Sequence, residues 1–448
     1  MRACTFPDHR YAASSKRIGR FTTLSLSVTF MALLAACGPN TAVQKRSGLQ
    51  SQADSPRETL KVSLPSGANW QAVAIWGDDV YALSYPDDAS MVGALEYELS
   101  AFERGSGKQE WNARFKLSSS LSVYYTSIVA TPEVVLFRSD YTVAALSARD
   151  GSMLWSVDDN ANSMMLLGFD DQYCYVFSYP STIKSYALAD GKEGSTWDFS
   201  NFYLNECWMG QTGLRFVCSG QSMSSGDELI VVALDSTSQS GPQEIFRAPY
   251  YGYDSNSLAV GPVSYNSSGM PSYGRSDYVA KVTTGVDSAE IEVYSIAEPG
   301  AEPIWQKRVD INPNDYYSSA YYAPKLLLSA GIGLTQQPNS TGVLLSSVLR
   351  LQLLDFSTAK PFWTSVLPIN DYIDSIRSFG NRVLIHTRND MGSDRWYAFD
   401  RDSGELLWSS EQSSSAPTTR SMAVHGNTLV RLTTLDWVQG ELLIDTLP

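Results

Sequence analysis

Three pairs of adjacent aspartates are the residues of this chain that come closest to acid/base or metal-binding chemistry. They are Asp78-Asp79, Asp158-Asp159 and Asp170-Asp171. Each pair lies at a predicted turn between strands, where aspartate commonly accepts hydrogen bonds from the backbone. Adjacent residues on a strand would point to opposite faces of the sheet in any case. We therefore predict no catalytic residue and no metal site from these pairs.

Histidine and cysteine add little catalytic potential. The chain has three histidines, of which only His386 and His425 follow residue 40. Two histidines are too few for most histidine-based metal sites and proton relays. The patterns C-x-x-C, C-x-x-C-H and G-x-S-x-G do not occur, which argues against a redox dithiol, haem attachment and a serine nucleophile. The sequence predicts a protein that is not an enzyme.

The composition indicates a globular protein that does not bind nucleic acid. Hydrophobic residues make up 43% of the chain and charged residues 18%, which provides enough apolar material for a core. Asp and Glu outnumber Lys and Arg by 47 to 33, for a formal net charge of -14. Phosphate recognition needs Lys and Arg gathered on one face, so this balance excludes DNA and RNA as partners.

The N-terminal segment, residues 1–36, has the order of an export signal, with basic residues followed by a charge-free apolar run. The run ends Leu34-Ala35-Ala36-Cys37, which resembles the cleavage motif of bacterial lipoproteins. That resemblance implies that Cys37 becomes the lipidated first residue of the mature protein. The alternative is an ordinary signal peptide in which Cys37 is incidental.

The residues from Cys37 onward bear on where in the cell the protein is held. Gly38 after the cysteine implies, by the same resemblance, transport to the outer membrane, where the anchored protein would face the periplasm. Residues 37–57 are polar and lack an apolar period, so they predict a flexible tether.

Two cysteines flank a predicted turn. Cys207 and Cys218 lie on either side of the segment Gly-Gln-Thr-Gly at residues 210–213. If two strands pair about that turn, the cysteines face each other and could form a disulfide. The alternative is a pair of buried free thiols, with Cys174 as a third.

One sequence unit recurs at least seven times. Each copy joins an alternating strand, a turn of mainly polar residues that contains Gly in six of the seven, and a second strand with an aromatic residue, as in AFDRDSGELLW at residues 398–408. Successive aromatics are 42 to 59 residues apart, within the period range of β-propeller blades. The recurring aromatics are Trp111, Trp155, Trp197, Phe246, Trp305, Trp363 and Trp408.

Two further short strands precede each of these hairpins, so each unit predicts four antiparallel strands. Such a sheet has two apolar faces that only neighbouring sheets can cover, and the aromatic would pack on the adjacent sheet. Residues 58–448 therefore predict an all-β, eight-bladed β-propeller, with seven blades as the fallback. Residues 59–64 would supply the strand that the last blade lacks and so close the ring.

The pattern A-x-D-x-x-T-G-x-x-x-W resembles the PQQ-type propeller repeat, which is named for quinoprotein dehydrogenases and is widespread in non-enzymes. Together with the lipoprotein signal, it resembles the BamB family, the propeller lipoproteins of the outer-membrane β-barrel assembly machinery. The resemblance implies a monomeric periplasmic scaffold whose protein partner is the barrel-assembly complex.

Two other functions stay open as alternatives. The first is an exported quinoprotein oxidoreductase, a family that holds Ca²⁺ and the quinone beside a disulfide of adjacent cysteines. This chain has no adjacent cysteines, so no PQQ cofactor is predicted. The second is a surface lipoprotein that binds a sugar or a peptide.

Three segments rich in Tyr and Ser, at residues 248–253, 265–273 and 312–324, are candidate binding loops in the longer copies of the repeat. Tyrosine combines a large contact area with a polar group and few rotamers, which suits recognition. The alternative is that these loops pack on one another over the blade ends. The candidate partner-binding residues are Tyr250, Tyr251, Tyr253, Tyr316, Tyr317, Tyr321 and Tyr322.

Overall fold

The computed structural model shows β-strands along the part of the chain that it describes, which begins at residue 59. No helix within that part is long and apolar enough to span a membrane. These residues belong to one compact unit. The structure describes residues 59–86, 96–117, 126–159, 162–199, 202–210, 215–222, 228–235, 242–249, 257–260, 278–284, 288–310, 332–335, 342–347, 350–355, 361–366, 372–379, 382–388, 394–410, 418–434 and 440–447.

The strands are short and follow one another without other regular structure between them in the described residues. The first half of the chain contains β1 (Leu60–Ser63), β2 (Ala68–Trp76), β3 (Asp79–Pro86), β4 (Glu96–Glu103), β5 (Gln109–Lys116), β6 (Ser127–Ala130), β7 (Val134–Arg138), β8 (Thr142–Ser147), β9 (Met153–Asp158), β10 (Met164–Phe169), β11 (Tyr173–Ser178), β12 (Thr182–Ala187), β13 (Glu193–Asp198), β14 (Phe202–Met209), β15 (Arg215–Ser222) and β16 (Glu228–Asp235). The second half contains β17 (Gln243–Pro249), β18 (Ser257–Val260), β19 (Tyr278–Thr284), β20 (Ser288–Ser295), β21 (Trp305–Asp310), β22 (Ile332–Thr335), β23 (Gly342–Ser347), β24 (Arg350–Asp355), β25 (Pro361–Val366), β26 (Tyr372–Phe379), β27 (Arg382–Arg388), β28 (Asp394–Asp400), β29 (Leu406–Ser409), β30 (Thr418–His425), β31 (Thr428–Thr434) and β32 (Gly440–Thr446).

Four consecutive strands form each antiparallel sheet. Sheets 1 to 7 are β2–β5, β6–β9, β10–β13, β14–β17, β18–β21, β22–β25 and β26–β29, and sheet 8 joins β30, β31 and β32 to β1. Pairing of the described strands thus gives eight sheets, whereas fold classification assigns seven blades, the fallback number. The all-β ring of four-stranded blades is confirmed; the count of eight stays a prediction.

The core lies between neighbouring sheets because both faces of an inner strand are apolar. All five residues of β7 are buried. Val135 and Phe137 pack against sheet 1, while Val134 and Leu136 pack against sheet 3. Successive side chains of a strand point to opposite faces, so an uninterrupted apolar run requires a sheet on each side.

The N-terminal strand closes the ring. β1 pairs antiparallel with β32, with Leu60 opposite Ile444 and Val62 opposite Leu442. Sheet 8 then packs on sheet 1 through a cluster that includes Trp70 and Ile444, and on sheet 7 through Leu384 and Leu429. The prediction for residues 59–64 is confirmed, with β1 itself ending at Ser63.

Each repeat aromatic is placed by the pairing of the last two strands of its sheet. It lies on the fourth strand, directly opposite a residue of the third strand, and in most sheets the register shifts immediately beyond that pair. A bulge of this kind bends the strand and redirects a side chain. The pairs with alanine are Ala101 with Trp111, Ala145 with Trp155, and Ala398 with Trp408.

The repeat turns of sheets 2 and 3 receive the aromatic of the preceding sheet on a glycine. Gly151 has a φ of 69°, and a Cβ placed there would lie 2.5 Å from the Trp111 ring. Gly191, one sheet further on, has a φ of 68° and would place its Cβ 2.8 Å from Trp155. Both the left-handed backbone and the close approach require glycine, which explains its recurrence in the repeat.

The closing strand β1 also packs a side chain on a turn glycine of the next sheet, but this side chain is a valine. Gly107, in the turn of sheet 1, has a φ of 67°, and a Cβ there would collide with Cγ2 of Val62 in β1. Val62 therefore takes on sheet 1 the place that Trp111 takes on sheet 2. This explains why the first turn of the ring carries the repeat glycine although no tryptophan strand precedes it.

Three glycine substitutions distinguish the effect of the left-handed backbone from that of a close neighbouring side chain. We expect Gly191→Ala to lower the free energy of unfolding by about 2–4 kcal/mol, because it adds a clash with Trp155 to backbone strain. Gly77 has a φ of 59° and open space around it, so Gly77→Ala should cost about 1 kcal/mol from strain alone. Gly105 has open space around it and a φ outside the left-handed region, so Gly105→Ala should change stability by less than about 0.5 kcal/mol. Denaturant unfolding measures all three, and equal losses at Gly77 and Gly191 would contradict the docking role.

Candidate functional site

The recurring aromatics lie between sheets, where they contact the following sheet. The Trp155 side chain is buried, and its Nε1 donates a hydrogen bond to the Leu188 carbonyl oxygen at 2.8 Å. The Trp197 ring lies 5.0 Å from that of Phe216, and the Phe246 ring lies 4.9 Å from that of Tyr294.

The remaining aromatics follow the same placement where they are described. Trp408 packs against a cluster that includes Leu429 and Leu447 of sheet 8, and Trp305 is buried. Trp363 lies opposite Leu353 in register, and its side chain lies outside the described residues. These contacts give the aromatics a packing role between sheets.

The aspartate pairs accept hydrogen bonds at turns and strand ends. Oδ1 of Asp170 accepts from the backbone nitrogens of Gln172 and Tyr173, both at 2.8 Å. Oδ2 of Asp159 accepts from Ser178 Oγ at 2.9 Å. Asp78 forms an exposed ion pair of 2.6 Å with Arg104. In the described part of the chain, no three or more His, Cys, Asp or Glu residues are grouped so that they could hold a metal ion.

Both histidines of the folded region contact tryptophan. The buried His386 ring stacks on Trp396 with ring centres 4.2 Å apart. The His425 ring lies 4.9 Å from Trp76 in a tilted arrangement. These imidazoles contribute aromatic packing at sheets 7 and 8.

The cysteines are placed in sheets 3 and 4. Cys207 on β14 lies directly opposite Cys218 on β15, their Cα atoms are 4.1 Å apart, and they form a disulfide. Cys174 is a buried free thiol on β11. Burial raises the pKa of Cys174 to about 12, so its reactive thiolate form is scarce at neutral pH.

Several sequence-predicted sites lie outside the described residues. These are the signal motif at residues 34–36, the lipidation residue Cys37, the tether at residues 37–57, and the candidate binding residues Tyr250, Tyr251, Tyr253, Tyr316, Tyr317, Tyr321 and Tyr322.

Two exposed tyrosines that the sequence analysis missed lie on segments of sheets 3 and 4 that a backbone hydrogen bond joins. Tyr179 is 45% exposed and Tyr203 is 46% exposed. The nitrogen of Leu204, next to Tyr203, donates a hydrogen bond of 3.0 Å to the carbonyl oxygen of Pro180, next to Tyr179. Phe202 and Leu204 pack into the core between sheets 3 and 4, so Tyr203 between them points to the opposite face of sheet 4. Only the Tyr-Pro dipeptide at a strand end could have pointed to Tyr179, and no motif marks Tyr203.

The family model described as the outer membrane protein assembly factor BamB matches residues 45–192, about a third of the chain. The chain resembles BamB. The expected PQQ-like β-propeller of BamB-like character is thereby confirmed. No curated protein matches the sequence significantly.

Solved structures match over most of the chain. Sqt1 of Saccharomyces cerevisiae aligns with a TM-score of 0.54 and 11% identity over 88% of this chain and 99% of its own. The computationally designed protein Ika8 aligns with a TM-score of 0.50 and 13% identity, covering 85% and 98% of the two chains. BamB from Moraxella catarrhalis aligns with a TM-score of 0.47 and 12% identity, covering 87% and 100% of the two chains. At these identities the first two likenesses establish the fold alone.

Proposed function

We propose that this protein is a lipid-anchored periplasmic scaffold that binds a protein partner in the assembly of outer-membrane β-barrel proteins. The observation that carries the proposal is the match of residues 45–192 to the BamB family model. That interval runs from the predicted tether through sheets 1 and 2 into the hairpin turn of sheet 3.

The contrast between residues that pack the sheets together and residues that stay at the surface supports binding as the function. The repeat aromatics, the turn glycines and the apolar strand faces are all used in contacts between sheets. Surface for a partner is then left at the strand ends and connections, as in other proteins that display loops on a rigid framework. Tyr179 and Tyr203 are exposed at such an end.

A lipid on Cys37 would anchor the protein to the membrane. Cleavage after Leu34-Ala35-Ala36 would leave an acylated Cys37 and a polar tether of residues 38–57 before the ring. The mature protein would be a monomer that faces the periplasm from the outer membrane. Its partner would be the barrel-assembly complex.

Affinity isolation from cross-linked envelopes of the native bacterium tests this function. We expect the full chain, tagged at its C-terminus, to co-isolate the core of the barrel-assembly complex, and to incorporate labelled palmitate. The Cys37→Ser variant should incorporate no palmitate and co-isolate at least several-fold less of the core. Absence of the core from wild-type isolates, with the anchor intact, would refute the proposal.

Addition of the quinone PQQ and Ca²⁺ to the purified protein tests the competing enzymatic function. We expect no new absorbance band, no shift of the melting temperature and no reduction of an electron-accepting dye. Dye reduction that depends on Ca²⁺ would instead support an oxidoreductase.

A further inference from the structure

We infer that a thiol oxidase carrying a reactive disulfide is a second partner of this protein, and that it joins Cys207 to Cys218 before sheets 3 and 4 pack together. The protein would meet this partner in the periplasm, so the inference rests on the proposed export and not on the barrel-assembly role. Thiol oxidation is then the class of reaction that must precede folding of the ring.

Both cysteines lie within the core of the folded ring. Cys207 is 6% exposed and Cys218 is fully buried. Both belong to the cluster that packs sheet 3 on sheet 4, together with Met209 and Phe216. Disulfide exchange requires that the oxidase bring its own disulfide to the attacking sulfur. The packed sheets cover both cysteines, so the oxidase has to act before they pack.

Cys174 shows the properties of a thiol that is buried in its reduced form. It lies on β11 of sheet 3, in the core that faces sheet 2. Burial raises the pKa of Cys174 to about 12. A thiol in such an environment has very little thiolate at neutral pH, and the thiolate is the form that attacks a disulfide. Cys207 and Cys218 would be trapped as unreactive thiols in the same way if the sheets packed first.

The β14–β15 hairpin brings the two thiols together before the ring is complete. The cysteines are 11 residues apart in the sequence, lie directly opposite each other in register, and have their Cα atoms 4.1 Å apart. A β-hairpin forms in about 1–10 microseconds, whereas disulfide formation without a catalyst takes seconds to hours. Closing this short loop also costs less entropy than pairing either cysteine with the more distant Cys174.

The bond fixes the register of two strands beside a bulge. The pairing of β14 with β15 shifts between Leu204 and Glu206, immediately before Cys207. A slip of one residue would turn the apolar side chains of a strand to the wrong face. An early disulfide excludes that slip while the hairpin is still without its neighbouring sheets.

The reaction that we infer is thiol–disulfide exchange. The thiolate of one cysteine attacks a sulfur of the oxidase disulfide, which forms a mixed disulfide and releases the other oxidase sulfur as a thiolate. The thiolate of the second cysteine then attacks the sulfur of the first and releases the oxidase. Two protons leave the cysteines, and their two electrons remain on the reduced dithiol of the oxidase.

Refolding of the mature lipidated chain, isolated from envelopes in mild detergent, tests the inference. The chain is denatured and reduced, then diluted into buffer with a purified periplasmic thiol oxidase either present from the start or added once tryptophan fluorescence is constant. We expect early addition to join Cys207 to Cys218 in most molecules. Late addition should form the bond at least about a hundredfold more slowly, since buried thiols have so little thiolate. Equal rates for the two orders of addition would overturn the inference.

Matched variants identify the thiols responsible, with alkylation and peptide mapping as the measurement. Cys174→Ala should keep the dependence on the order of addition. Cys207→Ala/Cys218→Ala should form no intramolecular disulfide at either time. Failure of the reduced wild-type chain to fold unless the oxidase is present from the start would also support early oxidation. A predominant bond between Cys174 and either partner would overturn the inference.

The two proposals fail separately. If wild-type protein from envelopes co-isolates the barrel-assembly core but carries Cys207 and Cys218 as free thiols, the oxidase is not a partner and the scaffold function stands. If the bond forms only on early addition of oxidase but the core is never co-isolated, the oxidase step stands and the barrel-assembly role is wrong.

Discussion

The substitution Asp445→Asn is expected to lower the free energy of unfolding by about 3 kcal/mol, because it leaves a buried arginine without its counter-charge. Nε and Nη2 of Arg431 both donate to Oδ2 of Asp445, at 2.9 and 2.7 Å. The two side chains are only 9% and 2% exposed. Oδ1 of Asp445 also accepts from Thr59, just before the closing strand, and the Arg431 guanidinium lies 5.7 Å from the centre of the Trp408 ring. One ion pair thus joins β1, sheet 8 and the last strand of sheet 7.

The exposed ion pair between Arg114 and Glu98 provides the control. Arg114 Nε lies 3.0 Å from Glu98 Oε2, and the arginine side chain is 66% exposed. Glu98→Gln should therefore cost less than about 1 kcal/mol. Guanidinium unfolding compares the two variants, and hydrogen exchange should show lost protection in β1 only for Asp445→Asn. Equal stability losses, or unchanged protection of β1, would contradict a role for Asp445 in holding β1 in sheet 8.

The second large effect is expected from Trp155→Ala, which should lower the free energy of unfolding by about 3–5 kcal/mol. The substitution empties the space between sheets 2 and 3 and leaves the Leu188 carbonyl oxygen without the indole donor. Trp155→Phe keeps an aromatic ring on Gly191 and removes the donor, so it should cost about 1–3 kcal/mol.

The neighbouring residue supplies the matched control. Leu154 precedes Trp155 on β9, points to the opposite face and is 46% exposed. Leu154→Ala should change stability by less than about 0.5 kcal/mol. Thermal and denaturant unfolding measure all three variants, and a loss for Trp155→Ala as small as that for Leu154→Ala would show that the repeat aromatic does not hold the sheets together.

Much of the fold was predictable because its signals are local. The hairpin of residues 398–408 carries its alternating strand, its turn glycine and its aromatic within eleven residues, and the structure forms β28 and β29 there. The disulfide partners Cys207 and Cys218 were also found from a local turn, and the structure joins them. Such features depend on neighbours in the sequence, which the pattern displays directly.

Exposed tyrosines of the folded region could not be predicted in the same way. The sequence analysis placed its candidate tyrosines in long connections, which lie outside the described residues, whereas Tyr179 and Tyr203 are exposed in the described part. These two residues share no motif, and their exposure depends on how sheets 3 and 4 pack around them.

From the sequence by itself follow the repeating four-stranded unit, the recurring aromatic and the strand that closes the ring, because strand period and turn chemistry are written in adjacent residues. Only the tertiary structure decided that Trp155 docks on a turn glycine of the next sheet, that Thr59 bonds Asp445 across 386 residues of sequence, and which tyrosines face solvent. Those contacts exist only when the ring closes, and closure is a property of all the sheets together rather than of any one repeat.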